Sequence, residues 1–192
     1  MPYGTALEGI YMEKMYALTH LGRTLDPRYP TNLAIVVWSG VILVSMFVLR
    51  LVGGAELMQA GIGAVIASVS IFWSWAMARE IDPQEQLSAF MAALLVTIAL
   101  LFVDVQFNLI VLFYLLSLSR MLNRSVGLPA TLFDSIVMLI FTGVVGVLGS
   151  WIYAMMGATA FLLDSLLPDR DRKHLLFAGL STVIMIVAFI MQ

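Results

Sequence analysis

The sequence contains no cysteine and little charge. Because there are 0 cysteines among its 192 residues, disulfides, iron–sulfur clusters and thiol nucleophiles are excluded. Charged residues make up 11% and apolar residues 61% of the chain, whereas about 25% of a soluble domain is charged. A water-soluble fold of this length could not bury so much apolar surface, but a lipid bilayer accepts it. The composition therefore predicts an integral membrane protein.

Other features that are rare or missing in the sequence exclude several kinds of functional site. The net charge of −2 gives no reason to expect a nucleic-acid partner. The two histidines, His20 and His174, both lie away from the middle of an apolar run, which argues against haem ligation and a serine–histidine pair. Glycine-rich phosphate loops, GxSxG elbows and HExxH motifs are missing from the sequence. We therefore expect no cofactor and no metal, and favour a non-enzymatic role.

Long apolar runs fill most of the chain. They are too long, and too free of alternation, to be strands, so we expect helices. The predicted fold is all-α: a single polytopic transmembrane domain over residues 1–192, with a bundle of six to seven transmembrane helices at 32–191. Only Asp104, Gln106 and Asn108 interrupt the stretch 87–119, which leaves open two short helices, one long tilted helix or a re-entrant pair. The runs cover roughly residues 32–50, 57–78, 87–103, 105–119, 131–149, 151–167 and 174–191.

Arginine ends a helix-like stretch at four places, and a new apolar run follows each. This recurrence predicts repeated helical hairpins. The leading helix of the first repeat, within residues 1–22, carries Glu8, Glu13, Lys14 and His20, so we expect it to lie at the membrane interface or face a partner. The four helix stops contain Arg23 with Asp26, Arg79 with Asp82, Arg120 with Asn123 and Arg124, and Arg170 with Arg172.

Two readings of these stops are open. Asp82 and Pro83 have the residue types of a helix N-cap and first helical position, and Glu85 completes the spacing of a capping box. Asp26 with Pro27 offers a similar start, although Pro30 predicts irregular residues before the first span. In this structural interpretation the stops only end one helix and begin the next. In the functional reading the clusters meet at one cytoplasmic mouth and bind an anionic head group or a partner.

The basic residues predict the orientation. With seven spans, nearly all of them fall on one side, and only Arg50 falls opposite. Cytoplasmic loops are enriched in arginine and lysine, so we expect the arginine-rich loops inside and the C-terminal Gln192 outside.

Ionisable residues inside apolar runs are site candidates, because they are costly in a membrane. Asp134 lies about one turn into the fifth run, and Asp164 about one turn before the end of the sixth. They could share a proton, hold a cation or pair with arginines, and we favour pairing. The candidate cytoplasmic cluster comprises Asp134, Asp164, Asp169, Asp171, Arg120, Arg124, Arg170 and Arg172.

Three functions are compatible with this sequence. We favour a non-catalytic subunit, scaffold or assembly component, which would require a membrane-protein partner or a homo-oligomer. The first alternative is a small transporter or channel with Asp134 and Asp164 at its cytoplasmic mouth. The second is an interfacial enzyme on a lipid-linked phosphate, with Mg²⁺ held by the aspartates 164, 169 and 171 and the phosphate neutralised by the arginines.

Overall fold

The structure is a computed structural model that describes residues 18–23, 25–102, 107–123, 128–167 and 172–192. These residues form seven helices and no strand, which confirms the predicted all-α class. The helices are α1 (Pro30–Val52), α2 (Leu57–Ile81), α3 (Gln86–Phe102), α4 (Leu109–Leu122), α5 (Leu132–Leu148), α6 (Trp151–Leu166) and α7 (Lys173–Met191).

Three helices are long and apolar enough to cross a membrane. They are α1, α2 and α7, with 23, 25 and 19 residues. The other four are apolar but have only 14–17 residues, which corresponds to about 21–26 Å at ~1.5 Å per residue. That is shorter than the ~30 Å hydrocarbon core of a bilayer. Length and composition thus support a membrane location and identify three helices that could span it.

Local chemistry explains several helix ends. Pro30 occupies the first position of α1, where its missing N–H costs nothing, and the residues before it are irregular as Pro30 predicts. Gly53 follows the end of α1, and Gly54 adopts φ +86°, a conformation that favours glycine. Ser150 starts α6 by accepting a hydrogen bond from the Ile152 N–H.

The stretch 87–119 contains two helices, α3 and α4, rather than one. Asn108 immediately precedes α4, and its side-chain oxygen accepts hydrogen bonds from the backbone N–H groups of Ile110 and Val111 at 3.0 and 3.3 Å. This bonding is typical of a helix start. The polar residue that interrupts the apolar pattern therefore begins a helix.

The prediction that Asp82 caps the following helix is wrong. Asp82 ends α2, and α3 begins only at Gln86. The Asp82 carboxylate accepts hydrogen bonds from the Gln84 and Glu85 N–H groups, both at 3.3 Å. The Asp-Pro pair thus forms a short loop between α2 and α3, because the carboxylate stabilises a turn instead of a first helical turn.

Residues 24–119 form the first of two compact units, called here the central unit. Within it α2 packs against both α1 and α3. Its core combines large side chains with alanines that allow close approach, and the Ser68 hydroxyl donates to the Ser39 carbonyl across α1 and α2 at 2.8 Å. The buried core residues are Ile35, Ile71, Trp75, Ala76, Ala89, Ala93 and Leu116, with a second cluster of Met46, Ala64 and Ala67.

Residues 1–23 and 120–192 form the second unit, called here the discontinuous unit. Its helices α5, α6 and α7 all pack against one another. A Cβ atom on Gly146 would lie 2.7 Å from the Ala154 Cβ, so α5 and α6 approach closely only because residue 146 is glycine. Beyond α7, the Gln192 amide donates to the carbonyls of Gly146 and Val147 near the end of α5. Hence α5 and α7 run parallel, with α6 antiparallel to them.

Only the end of the expected N-terminal helix falls in the described residues. Leu18 is helical, but residues 19–23 are not, so the helix does not extend through Leu21 as predicted. Thr19 and His20 instead direct polar groups at α5 and the segment before it. Residues 1–17, which contain the rest of the predicted helix, lie outside the described part of the chain.

Candidate functional site: a buried polar array in α5–α7

One side chain from each helix of the discontinuous unit meets at His174, in the first turn of α7. Its Nδ1 atom bonds Asp164 Oδ2 from the end of α6. Its Nε2 atom lies 2.8 Å from Ser135 Oγ, near the start of α5. All three residues are 0% exposed. We call Ser135, His174 and Asp164 the polar array.

Aromatic rings enclose the polar array. Phe161 and Phe177 lie with their ring centroids 5.7 and 6.3 Å from that of His174. The two phenylalanines also stack on each other with centroids 5.3 Å apart. An apolar enclosure strengthens hydrogen bonds inside it, and makes any group left without a partner costly. Each member of the array therefore needs a hydrogen-bond partner inside this enclosure.

The Ser135 hydroxyl can satisfy two protonation states of His174. Its Oγ lies 2.8 Å from both the Thr131 carbonyl and His174 Nε2. If His174 carries a proton on Nδ1 alone, Ser135 donates to Nε2. If both ring nitrogens carry protons, Nε2 donates to Oγ and the hydroxyl turns to the Thr131 carbonyl. Every member of the array has a hydrogen bond in each arrangement.

Asp134 forms a second cluster beside the array, called here the N-terminal junction. Its carboxylate accepts hydrogen bonds from the Thr19 hydroxyl, the His20 N–H and the Thr131 N–H, the last two at 2.9 Å. The Thr131 hydroxyl accepts from the Asp134 N–H at 3.1 Å, so Thr131 and Asp134 form a capping box at the start of α5. Asp134 thus stabilises a helix start and binds a segment more than 100 residues away.

The N-terminal junction has further contacts around it. The His20 Nδ1 donates to the Pro129 carbonyl, because a carbonyl can only accept. The Thr131 hydroxyl donates to the Leu18 carbonyl at 2.9 Å. Residues 18–20 are therefore fixed to residues 129–134 through both backbone and side chains.

The basic residues of the predicted cytoplasmic cluster are only partly described. Arg120 Nη1 donates to the Leu21 carbonyl at 3.2 Å, and Lys173 Nζ approaches the Ala130 carbonyl at 3.4 Å. Arg172 is exposed just before α7. Asp169, Asp171, Arg124 and Arg170 lie outside the described residues.

The expected pairing of Asp134 with a stop arginine stays a prediction, because Arg124 lies outside the part of the chain that the structure describes. Within that part, its partners are Thr19, His20 and Thr131, which supply neutral N–H and O–H donors. Backbone N–H groups at a helix start favour a carboxylate for the same electrostatic reason as an arginine does. The fully buried Asp164 bonds His174, a partner that the sequence did not indicate.

Two of the helix stops are linked inside the central unit. The Arg79 guanidinium donates to the Asn32 side-chain oxygen at 3.0 Å and lies 5.1 Å from the Trp75 ring centroid. The Asn32 amide in turn donates to the Asp26 carbonyl at 2.9 Å. Asn32 therefore joins the loop before α1 to the end of α2, whereas Arg23 belongs to the discontinuous unit.

Asp26 makes an exposed ion pair with Arg28, two residues later. The Arg28 Nε lies 3.0 Å from the Asp26 carboxylate, and the Arg28 N–H donates to the same oxygen at 2.9 Å. The hydrogen bond from the Arg28 side chain, followed by that from its backbone, lowers the pKa of Asp26. The Arg28 side chain is 75% exposed, so this pair contributes little to stability.

Sequence reasoning missed Ser135 and His174, although a signal for them is present. On α5, Ser135 and Thr142 are seven residues apart, and on α7 so are His174 and Ser181; all four are 0% exposed. Polar residues seven apart in otherwise apolar helices fall on one face, about two turns apart. Such a repeat on both α5 and α7 indicates that these faces are buried against each other and not against lipid.

The fold and site together define an all-α protein with a polar array enclosed by apolar helices. Comparison with protein-family profiles, with curated proteins and with solved structures finds no match. Among the described residues there is also no group of three or more histidine, aspartate or glutamate side chains placed to hold a metal ion.

Proposed function

We propose that this chain is a multi-pass membrane protein that acts as a non-catalytic component of a membrane complex: a subunit, scaffold or assembly component. The main observation in support of this proposal is the hydrogen bonding of Asp134, which accepts three hydrogen bonds from Thr19, His20 and Thr131 of the same chain. A carboxylate so engaged is suited to fixing one element to another. It is less suited to binding a substrate, which would have to displace those donors.

The surface of α1 supports the membrane part of this proposal. Its exposed face is almost wholly apolar, and a large apolar surface on a helix suits lipid or another membrane helix. The proposal includes α3, α4, α5 and α6 as further spans, to give seven, with the bilayer thinned locally around the shorter helices. Five valines on α1 are between 44% and 63% exposed: Val36, Val37, Val41, Val44 and Val48.

Native mass spectrometry of the protein, extracted gently from its own membrane, tests the proposal. We expect a defined protein partner at fixed stoichiometry, or a homo-oligomer of defined size. Recovery as a monomer that carries lipid alone, at concentrations where known complexes of the same membrane stay intact, would contradict the proposal.

A second candidate function is acyl transfer inside the membrane, and the polar array favours it. Asp164 bonds Nδ1 and Ser135 faces Nε2, which is the arrangement of a nucleophile, a base and an orienting carboxylate. In such a reaction the Ser135 Oγ would attack an ester carbonyl as its proton moves to His174 Nε2. The leaving alkoxide would then take that proton, and water would release the acyl group by the reverse steps.

We rank acyl transfer second because a substrate has no exposed path to Ser135. A nucleophile has to reach its substrate, yet Ser135, His174 and Asp164 are all 0% exposed and two phenylalanines cover the imidazole. The Ser135 hydroxyl also has a competing acceptor, the Thr131 carbonyl, at 2.8 Å. The same three side chains also bond one another as members of a structural network do, and buried polar groups are usually hydrogen-bonded in this way.

A fluorophosphonate probe, which reacts with activated serines, separates these two functions. For the structural role we expect no labelled Ser135 peptide in intact membranes. Labelling at Ser135 that is lost in Ser135→Ala, reduced in Asp164→Asn and retained in Ser165→Ala would establish the second function. Ser165 is a matched control because it is also buried, but its hydroxyl bonds the Leu162 carbonyl of its own helix.

Transport and magnesium-dependent chemistry remain weaker proposals. A cation or a proton shared by Asp134 and Asp164 would have to compete with the donors already bonded to each carboxylate. A magnesium ion on Asp164 would face His174, and magnesium prefers oxygen ligands. Unchanged flux in vesicles that contain Asp134→Asn or Asp164→Asn would exclude these carboxylates from a transport pathway.

A further inference from the structure

We infer that the outer surface of the discontinuous unit binds phospholipids with short acyl chains, and that the bilayer beside α5, α6 and α7 is thinner than the bilayer beside α1. This inference rests on the proposed function, because it takes the chain to be a multi-pass membrane protein. It goes further by naming the lipid that fits one of the two units.

Exposed apolar side chains form a continuous stripe along α5. They recur at every fourth residue, and residues four apart lie above one another on a helix. The first and last, Leu132 and Leu148, are 16 positions apart, so the stripe is about 24 Å tall at ~1.5 Å per residue. The stripe consists of Leu132, Ile136, Ile140, Val144 and Leu148.

The other two helices of the unit have apolar surfaces of similar height. The outermost exposed apolar side chains are Ile152 and Leu166 on α6, and Leu175 and Met191 on α7. At ~1.5 Å per residue these pairs span about 21 and 24 Å. Tilting a helix lowers the height that it spans across the membrane, so no orientation of the unit makes this apolar belt taller.

The first helix provides a comparison within the same chain. On α1 the outermost exposed apolar residues are Leu33 and Val52. By the same measure they span about 28 Å, close to the ~30 Å hydrocarbon core of a bilayer. The apolar belt of the discontinuous unit is therefore about 4–7 Å shorter than that of α1.

The end of the unit where α5 meets α6 has no side chains that could bridge this difference. A short helix is accommodated by thinning of the bilayer, by long flanking side chains that reach the interface, or by oligomerisation. Residues 146–153 and 186–192 are all described, and they include no lysine or arginine. The Gln192 amide cannot extend outward, because it donates to the carbonyls of Gly146 and Val147.

Both ends of the unit require polar surroundings. Gly149 and Ser150 lie outside the helices, and irregular backbone exposed to lipid does not occur in the hydrocarbon region. Trp151, which follows them, is a residue type that favours the headgroup level. At the other end, Arg172 and Lys173 are charged and would be costly inside the membrane. With both ends fixed at an interface, the bilayer has to thin to the height of the belt between them.

Fluorescence quenching by brominated phospholipids tests the inference in reconstituted vesicles. Ile140→Cys on α5 and Val41→Cys on α1 place a label near the middle of each apolar surface. The two positions are matched, because Ile140 is 60% and Val41 57% exposed. Each cysteine would be the only thiol in the chain, so a bimane label reports on one position. Brominated dioleoyl phosphatidylcholine quenches the label on contact, and an unbrominated lipid that competes for the same surface restores the fluorescence.

We expect different lipid preferences at the two positions. At residue 140, dimyristoleoyl phosphatidylcholine, which has short chains, should compete severalfold better than dierucoyl phosphatidylcholine, which has long chains. At residue 41, the dimyristoleoyl lipid should have no advantage over dioleoyl phosphatidylcholine. The unfolding midpoint of each variant in detergent checks folding, and Val144→Cys, on the same stripe of α5, is used if Ile140→Cys fails to fold.

The possible failures are distinguishable. The same lipid preference at both positions would overturn this inference and leave the proposed function intact. Quenching at residue 41 but not at residue 140 would also overturn it, because a second copy or a protein partner would then cover α5. Quenching at neither position would show that the chain is not embedded in the bilayer, and would overturn the membrane part of the proposed function together with this inference. A monomer in native mass spectrometry would contradict the role in a complex without affecting the lipid preference.

Discussion

Asp134 combines two tasks in one side chain. It completes the capping box of α5 and accepts hydrogen bonds from Thr19 and His20. An asparagine has the same shape, but only one of its two terminal atoms can accept. At least one donor would then be left without its acceptor, at a cost of ~1–3 kcal/mol.

We expect Asp134→Asn to lower the free energy of unfolding by about 1–3 kcal/mol and to speed hydrogen exchange at the His20 amide. Unfolding in mixed detergent and exchange measured by mass spectrometry provide the two readouts. Asp26→Asn is the control and should change stability little, because Asp26 pairs with an arginine that is 75% exposed. Equal effects of the two substitutions would contradict the assignment of Asp134 to the N-terminal junction.

His174 and Asp164 permit a test by double substitution. His174→Phe fits an aromatic surrounding of Phe161 and Phe177, but it leaves Asp164 buried without its imidazole. Breaking a buried pair by removing one member costs roughly 3–5 kcal/mol, whereas replacing both by apolar residues is often neutral. We expect His174→Phe to destabilise strongly, and His174→Phe with Asp164→Leu to recover most of the loss. Strictly additive losses in the unfolding free energy would show that the two side chains act independently.

The pH dependence at Asp26 has a defined sign. Its pKa is lowered in the folded state, first by the Arg28 side-chain hydrogen bond, so its contribution to stability is present above the ordinary pKa. That contribution is lost as the pH falls through the lowered value. We expect Arg28→Ala to raise the Asp26 pKa toward its ordinary value, although the backbone N–H of residue 28 still lowers it. The carboxyl carbon shift of Asp26 in an NMR titration measures this, and no movement would exclude the ion pair.

At the scale of helices, packing in the discontinuous unit depends on one glycine more than on its neighbours. A methyl group on Gly146 would meet Ala154 Cβ at 2.7 Å, whereas one on Gly143 finds its nearest atom at 3.9 Å and one on Gly179 finds none within 4 Å. Overpacking of this kind costs about 1–3 kcal/mol. Alanine is the better helix former where space allows, by about 0.5–1 kcal/mol.

We therefore expect Gly146→Ala to destabilise the protein, and Gly143→Ala and Gly179→Ala to be neutral or stabilising. The decisive measurement is the difference in unfolding free energy between Gly146→Ala and Gly143→Ala in one detergent, because both positions lie on α5. If Gly146→Ala were as stable as Gly143→Ala, the close approach of α5 and α6 would be wrong.

At the scale of the whole molecule, the lack of native cysteine makes topology directly measurable. Cysteines in place of Glu56, Gln84 and Arg172, one at a time, would each be the only thiol in the chain. With seven spans we expect Gln84→Cys and Arg172→Cys to react with an impermeant maleimide from the cytoplasmic side only, and Glu56→Cys from the opposite side only. Opposite reactivity of the cysteines at 84 and 172 would mean that α3 and α4 together cross the membrane once.

Much of the fold could be predicted, because apolar length is a local property. The seven predicted runs match the seven helices to within four residues at either end, and the greatest shift is the start of α4 at Leu109 instead of residue 105. Asp82 was misplaced because an aspartate followed by proline suits a turn as well as an N-cap. The span count stays a prediction, since four of the helices are short.

The candidate site was predictable only in part. Asp134 and Asp164 stood out because acids are rare in apolar runs, but their partners did not. His174 lies ten residues from Asp164 across a charged loop, and Ser135 lies 39 residues from His174. Hydrogen bonds over such separations depend on how helices are placed side by side, which hydropathy does not encode. The predicted orientation set Arg50 apart from the arginine stops, and its contact with Gly63 became visible only in the structure.

The N-terminal junction also sets an order of events during synthesis. Thr19 and Asp134 are 115 positions apart, so at ~5–20 residues per second the ribosome needs about 6–23 s to make the second after the first. The whole central unit is made in that interval. Throughout it, Thr19 and His20 have been made, but the Asp134 carboxylate that accepts their hydrogen bonds has not. Thr19 and His20 are thus made early but form these hydrogen bonds late. A ribosome that stalls before α5 leaves them without Asp134.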